Sequence, residues 1–195
     1  MKALAAAFYK QDTIIVARDL LGKKLVHREP NGQILTAMIS ETEAYLGHED
    51  PAAHSYNHRR TDRTETMYLD GGHAYIYFIY GIHYCFNVVT RSTLEPEAVL
   101  VRGAFPLQGI DLMKQRRPKA KTLQQLSNGP GKLCQAFALN RAQNGLSLLS
   151  GELVIEDYKT FTDDQIEITS RIGVDYAGDA AHWPLRFSVL QSLLI

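Results

Sequence analysis

The segment Ser40-Glu41-Thr42-Glu43-Ala44-Tyr45 sets two carboxylates and a phenol at alternate positions. On a strand, Glu41, Glu43 and Tyr45 share one face and Thr42 and Ala44 the other, because successive side chains alternate. A carboxylate held beside a reacting bond can take a proton from water or stabilise developing positive charge. Ser40 and Glu43 also match a helix capping box, but Gly47, His48 and Pro51 leave no room for the helix it would open. Taken alone, the pattern reads as an exposed strand end. Further on, Tyr75-Ile76-Tyr77-Phe78-Ile79-Tyr80-Gly81 places Tyr75 and Tyr77 on one strand face and Tyr80 beside a turn glycine. Aromatics are common in core strands. A tyrosine at a hairpin tip is equally a wedge able to enter a base stack. Asn87 and Arg102 are polar side chains inside apolar runs. Buried, they need partners, and a carboxylate such as Glu43 would satisfy Arg102, as a structural pair or as an active-site pair.

His54 and His58 are four residues apart, with His48, Glu49 and Asp50 nearby. On a helix that spacing could hold a metal. Ser55 and Asn57 weaken any such helix and HExxH is absent, so the reading preferred is a surface loop or a pocket lining. Gly129-Pro130-Gly131-Lys132 opens a helix whose amides and lysine could meet a phosphate. Its spacing is not that of a P-loop, and by itself it is a glycine-rich helix start.

These residues need a frame. Asp12 can cap a short helix that buries Val16, Leu20 and Leu21 and ends at Gly22. Asn31-Gly32, between KKLVHRE and QILTAMISETEAY, is a strong hairpin signal. Residues 46–62 read as an irregular loop. AYIYFIY and IHYCFNVVT form two strands around Gly81, and EAVLVRGAF another. IDLMKQRR and KLCQAFAL look helical, and ELVIED, ITSRIGV and LRFSVL supply further strands. Hairpin-joined strands with helices grouped elsewhere predict an α+β fold: a mixed, largely antiparallel sheet, a protruding β-hairpin and surrounding helices, in one domain over 1–195.

With 195 residues, the chain fits one domain that buries about 70% of its unfolded surface. At 45% hydrophobic and 22% charged, it has the balance of a soluble globular protein. No apolar run is long enough for a membrane span, and the N-terminal MKALAAAFYKQD is too soon polar for a secretory signal. Cys85 and Cys134 have no CxxC partner, which argues against a cysteine zinc site and fits a reducing compartment. The expected location is cytoplasmic. The net charge is zero, yet Leu112–Gly151 holds seven Lys or Arg and no acid, and Glu152–Asp179 holds eight acids against Lys159 and Arg171. Such segregation can give one basic face or two solvated surfaces.

The order ETEAYLGHEDPAAHS, YIYFIYGIHYCFNV, AVLVRG, NGPGKLCQAF, RIGV and PLRFSV resembles the 3-methyladenine DNA glycosylases of the alkyladenine type, from about Leu20 to Val189. The resemblance implies an α+β base-excision-repair enzyme that binds the minor groove of double-stranded DNA. It would flip out alkylated or deaminated purines (3-methyladenine, 7-methylguanine, hypoxanthine, ethenoadenine) and hydrolyse their bond to the sugar, leaving an abasic site. By the same resemblance Glu43 is the general base on the attacking water, and Arg102 helps hold that water and Glu43. Tyr80 fills the gap left by the flipped nucleotide. Tyr45, His54 and Tyr77 wall the base, and the backbone of Ala44 and His54 reads its edge. Asn87 discriminates against a guanine amino group, and Lys132 lies near phosphates. No cofactor or metal is expected, no lysine nucleophile occurs in the two long motifs, and a monomer is the expected state. The segment Arg91–Pro96 is longer than in mammalian members, Ile82 stands where those often carry methionine, and their N-terminal extension has no counterpart. These departures bear on lesion preference and opposite-base tolerance. Two rival readings are a single-strand binding module using its tyrosines as stacking platforms and a metal hydrolase built on His48, His54 and His58.

Overall fold

The computed structural model describes residues 2–194. A short helix α1 (Ala6–Tyr9) leads to α2 (Thr13–Asp19). The Asp12 side chain caps α2 by accepting from the Ile14 N–H, satisfying one of the donors a helix start leaves open. Val16, Leu20 and Leu21 are buried beneath it. Gly22 follows at φ +84°, and a Cβ there would meet the Lys159 carbonyl oxygen at 2.4 Å, so only glycine fits.

Eight strands form one sheet: β1 (Lys24–Arg28), β2 (Ile34–Tyr45), β3 (Ala74–Ile79), β4 (His83–Thr90), β5 (Glu97–Gln108), β6 (Leu153–Glu156), β7 (Ile166–Thr169) and β8 (Arg186–Val189). The order is β3-β4-β5-β2-β1-β6, with β8 pairing to β2 and β7 to β8. The long strand β2 makes this possible. Its first half pairs with β1 and its second half, Glu41 to Glu43, with β8. The α+β expectation holds. Among the described residues every pairing is antiparallel, so the sheet is not mixed. The physical reason is in the connections: β1–β2, β3–β4 and β4–β5 are joined by segments too short for a parallel crossover.

Helix α2 lies against β2 and β5, α4 (Pro130–Phe137) against β4 and β5, and α3 (Ile110–Arg116) against α4. Ile39, Phe86, Val101, Met113, Leu133 and Phe137 are among the buried residues of the main core. The segment expected as the strand ITSRIGV is strand only to Thr169. Gly173 stands at φ +75° in the bend that follows, and Asp175–His182 is a 3₁₀ segment kinked at Gly178. The 46–62 region is irregular as expected, with 3₁₀ turns at Gly47–Glu49 and Tyr56–His58.

Two irregularities between β2 and β5 matter for the site. Ile39 pairs with Ala104 and Glu41 with Gly103, so Ser40 is an extra residue on β2. Glu41 then pairs with Gly103 but Thr42 with Val101, so Arg102 is an extra residue on β5. Such bulges re-aim side chains, and here the second one frees Arg102 from the ladder beside two carboxylates.

Candidate active site

A cavity of about 310 Å³ opens where the C-terminal half of β2, the β3–β4 hairpin, β5 and the start of α4 meet. That is within the range of roughly 300–1,000 Å³ common for small-molecule sites. Tyr45, His54, Tyr75, Tyr77, Asn87 and Arg102 line its interior, and Tyr80, Gly131 and Tyr176 its surround.

Glu43 is fully buried, at 0% exposure, which overturns the reading of this motif as an exposed strand end. Its carboxylate is held by three donors. The Tyr45 hydroxyl donates to Oε2 at 2.8 Å, the Ile172 N–H donates to Oε1 at 2.8 Å, and the Arg102 Nη1 lies 3.3 Å from Oε1. Burial pushes the Glu43 carboxyl above its usual range; Arg102, the Ile172 N–H and the Tyr45 hydroxyl pull it back in part, and Glu41 adds to the rise. All three donors belong to residues that line the cavity, while Glu43 sits immediately behind them. The hydroxyl of Tyr45 is in turn driven far above its usual range by burial and by Glu43, so it stays a proton donor.

The aromatic wall comes from β3 and the 46–62 loop. The His54 ring meets Tyr77 edge-on at 4.5 Å, and its Nδ1 bonds the Tyr75 hydroxyl at 2.8 Å. Burial, with Arg63 and Arg59 nearby, pushes His54 down to about 4, so the ring is neutral at physiological pH. Asn87 is buried and donates from Nδ2 to the Tyr75 carbonyl at 3.0 Å, which fixes its amide at the cavity wall.

Of the sequence-expected residues, the structure brings Glu43, Arg102, Tyr45, His54, Tyr77 and Asn87 together. Tyr80 stands at the mouth, 80% exposed at the hairpin tip, so it is not a core residue. Ala44 is not brought to the wall. Its N–H bonds the Leu185 carbonyl and its carbonyl accepts from Arg171, so both backbone groups are committed within the fold. Lys132 is exposed and donates to the Asn128 side chain at 3.0 Å, one residue past the Pro130-Gly131 edge of the cavity. The histidines separate: His48 and His58 stack at 3.8 Å, whereas His54 turns to the tyrosines. No group of three or more His, Cys, Asp or Glu among the described residues is arranged to hold a metal ion.

Sequence reasoning missed three contributors. Glu41 accepts from Arg102 Nε at 2.8 Å and from Arg186 Nε at 2.7 Å. Ile172 acts through its backbone, which no side-chain pattern announces. Arg171 and Asp50 form a fully buried ion pair that ties the Ile172 segment to the 46–52 loop. The Arg171 guanidinium also lies 4.8 Å from the centre of the Tyr45 ring. The available signal was the same as for Arg102: an arginine among apolar residues, in RIGV and PLRF.

Residues 7–192 match the family of methylpurine-DNA glycosylases (MPG). Relatives named "Putative 3-methyladenine DNA glycosylase" include a protein of Bdellovibrio bacteriovorus, 48% identical over 98% of this chain and 97% of its own length. One from Desulfitobacterium hafniense is 47% identical over 98% and 97%, and one from Clostridium acetobutylicum 46% over 95% and 93%. The matched residues include the cavity, every donor to Glu43 and the whole β3–β4 hairpin, and on that correspondence the chain belongs to the methylpurine-DNA glycosylase family.

Proposed function

We propose that this protein is a base-excision-repair glycosylase that rotates a damaged purine out of duplex DNA into the aromatic cavity and hydrolyses its N-glycosidic bond. The observation that carries the reading is the buried Glu43 carboxylate, held by three donors directly behind a cavity walled by Tyr45, His54 and Tyr77. A protein keeps a buried carboxylate with a raised pKa at a pocket only against its desolvation penalty, and such groups cluster at functional sites.

The chemistry follows from the geometry. The electron-rich tyrosine faces attract an alkylated, positively charged base, and the neutral His54 adds no opposing charge. Asn87, locked by its bond to the Tyr75 carbonyl, crowds the position of a guanine amino group. As the base leaves, the sugar gains oxocarbenium character, which an adjacent carboxylate stabilises. When the Tyr45 hydroxyl, a cavity-lining group, turns from Oε2, that oxygen is released to take a proton from a water held beside Arg102. The raised pKa makes Glu43 a stronger base than an exposed carboxylate.

At the rim of the cavity Tyr80, Ile172 and Tyr176 are exposed apolar side chains, and Ile82 is exposed two residues beyond Tyr80. They suit a minor-groove face, with Tyr80 as the wedge that fills the vacated stack. Lys132 and the start of α4 lie where a phosphate would approach. No lysine is among the described residues lining the cavity, so a Schiff base with the sugar has no donor there and the product is an uncut abasic site.

The test is incubation with duplexes carrying hypoxanthine, 3-methyladenine or ethenoadenine, followed by hot alkali. Strand breaks should appear only after alkali, EDTA should leave the rate unchanged, and borohydride should trap no protein–DNA adduct. Glu43→Gln should bind lesion DNA but lose roughly 10²–10⁴-fold in single-turnover rate. A loss under about threefold, well below that range, would remove Glu43 from the mechanism.

A further inference from the structure

The Arg102 side chain meets Glu43 through its Nη1, 3.3 Å from Oε1. Its Nε is engaged by Glu41 Oε1 at 2.8 Å, and that same oxygen accepts from Arg186 Nε at 2.7 Å. Arg186 is itself anchored, its Nη1 donating to the Thr169 hydroxyl at 2.8 Å. Glu41, Arg102 and Arg186 are 19, 13 and 21% exposed at their side chains, so the network is screened only in part. The backbone is shaped to make it. Arg102 is the extra residue of the bulge on β5, Glu41 lies between the two bulges on β2, and Arg186 stands opposite Glu43 on β8.

Glu41 does not touch the base cavity. With Arg186 it lines a second, polar cavity of about 210 Å³, together with Gly103, Glu167 and Ser188. The Arg102–Glu41 pair therefore stands between two cavities, with the arginine facing the aromatic one. A guanidinium left to one carboxylate would lean fully on Glu43, since an opposite charge is the strongest pull available in a part-buried site.

We infer that Glu41, braced by Arg186, is a positioning residue for base excision: it holds Arg102 by its Nε at 2.8 Å so that Nη1 meets Glu43 at the longer distance of 3.3 Å. The inference rests on the reading of Glu43 and Arg102 as the site of hydrolysis. Its consequence is a compromise in the base. Arg102 stays close enough to orient Glu43 and the attacking water, but Glu43 keeps the raised proton affinity that its task requires.

The groups facing Glu43 are Arg102 from β5, Tyr45 and Glu41 from β2 and the Ile172 N–H, with Cys85 of β4 and Tyr176 within reach of its charge. In Glu41→Gln the charge at position 41 is gone and Arg102 is freed toward Glu43, and both changes lower the proton affinity of Glu43. Single-turnover excision should fall by about 10–100-fold, the usual scale for loss of an orienting partner. The rising limb of the pH–rate profile should move to lower pH. Glu41→Asp keeps the charge and should return the limb toward its original position. Arg186→Gln should act in the same direction but more weakly, and Glu41→Gln/Arg186→Gln should be no worse than Glu41→Gln alone, because the two act as one unit. A merely structural role would lower rate and melting temperature together and leave the limb where it is, and that result overturns the inference. So does a wild-type rate and limb in Glu41→Gln. Should Glu41→Gln fail to fold, an unshifted limb in Arg186→Gln overturns it equally. If Glu43→Gln itself retains activity, it is the underlying reading of the site that fails.

Discussion

The burial of Glu43 carries a penalty in stability. Its carboxyl is raised above the usual 4.5, chiefly by burial, whereas in the unfolded chain it returns to the ordinary range. The folded state therefore binds its proton more tightly, and the ionised form opposes folding. That opposition is absent below the ordinary carboxyl range, where both states are protonated, and is complete above the folded pKa. Glu43→Gln imitates the protonated form, and Arg102 keeps Glu41 as a charged partner. The variant should thus melt no lower than wild type at neutral pH, with its advantage growing from about pH 4.5 upward and vanishing below. Thermal melts of both proteins from pH 4 to 8 check this, and a variant that melts lower throughout would show that Glu43 serves packing instead. Removal of an active-site group that stabilises the fold is a common trade.

The β3–β4 hairpin is the element most plainly built for something other than stability. Its tip places Tyr80 at φ 54° and Gly81 at φ 70°, and the Ile82 N–H closes on the Ile79 carbonyl at 3.3 Å. Two successive left-handed residues suit a tight hairpin. A glycine takes that conformation freely, but a bulky tyrosine does so at about 1–2 kcal/mol. Tyr80 also packs little, at 80% exposure. Asparagine tolerates the left-handed region well, so Tyr80→Asn should melt at or slightly above wild type. Its excision should fall on a fully paired duplex and fall less on a mismatched one, where unstacking is already easier by a few kcal/mol. Equal losses on the two substrates, or a large drop in melting temperature, would sink the wedge. The hairpin also depends on Gly131 of α4, where a Cβ would meet the His83 ring at 2.9 Å. Gly131→Ala should displace the tip end of the hairpin at His83 and cost on the order of 1–3 kcal/mol, as overpacking does, with the loss read from urea unfolding midpoints.

At the scale of the whole molecule, the cavity is assembled from segments far apart in the chain: β2, the 46–62 loop, the hairpin, β5, α4 and the 172–176 segment. What joins them is the long β2, flanked by β5 along its length and by β8 at Glu41 to Glu43, and the buried Asp50–Arg171 pair. Burying the loop has a price in acid. His54 is pushed from 6.5 down to about 4 in the folded protein, so between those values the unfolded chain binds a proton that the folded one refuses. The stability associated with His54 is whole above pH 6.5 and is lost as pH falls toward 4. His54→Gln should therefore show a shallower loss of denaturant midpoint between pH 7 and 4.5 than wild type. Parallel slopes would mean that His54 already titrates normally when folded.

Much of this was legible in the chain. Asp12 before an apolar helical run, Asn31-Gly32 between two strands and Gly81 between two more are local signals, because caps and tight turns are decided by the residues that make them. Those signals sufficed for an α+β frame, while the group Glu43, Tyr45, His54, Tyr77, Asn87 and Arg102 came from the resemblance to the alkyladenine-type glycosylases and not from local pattern. Local pattern could not decide burial. ETEAY alternates identically on a solvated edge or in a core, and it is β5 and β8 pairing on either side of it, with Tyr45, Arg102 and the Ile172 segment set over Glu43, that decide the matter. Nor could it decide which arginine meets which carboxylate. Arg102 was expected beside Glu43, but the bulges on β2 and β5 hand its closest nitrogen to Glu41 and bring in Arg186 from the far end of the chain. The Ile172 N–H is free to reach Glu43 because the strand ends at Thr169, short of the expected ITSRIGV. Residue types and short-range geometry were set by sequence, while charge partners and desolvation were set by tertiary structure, because Coulombic pairing and burial act between groups that are neighbours in space and not along the chain.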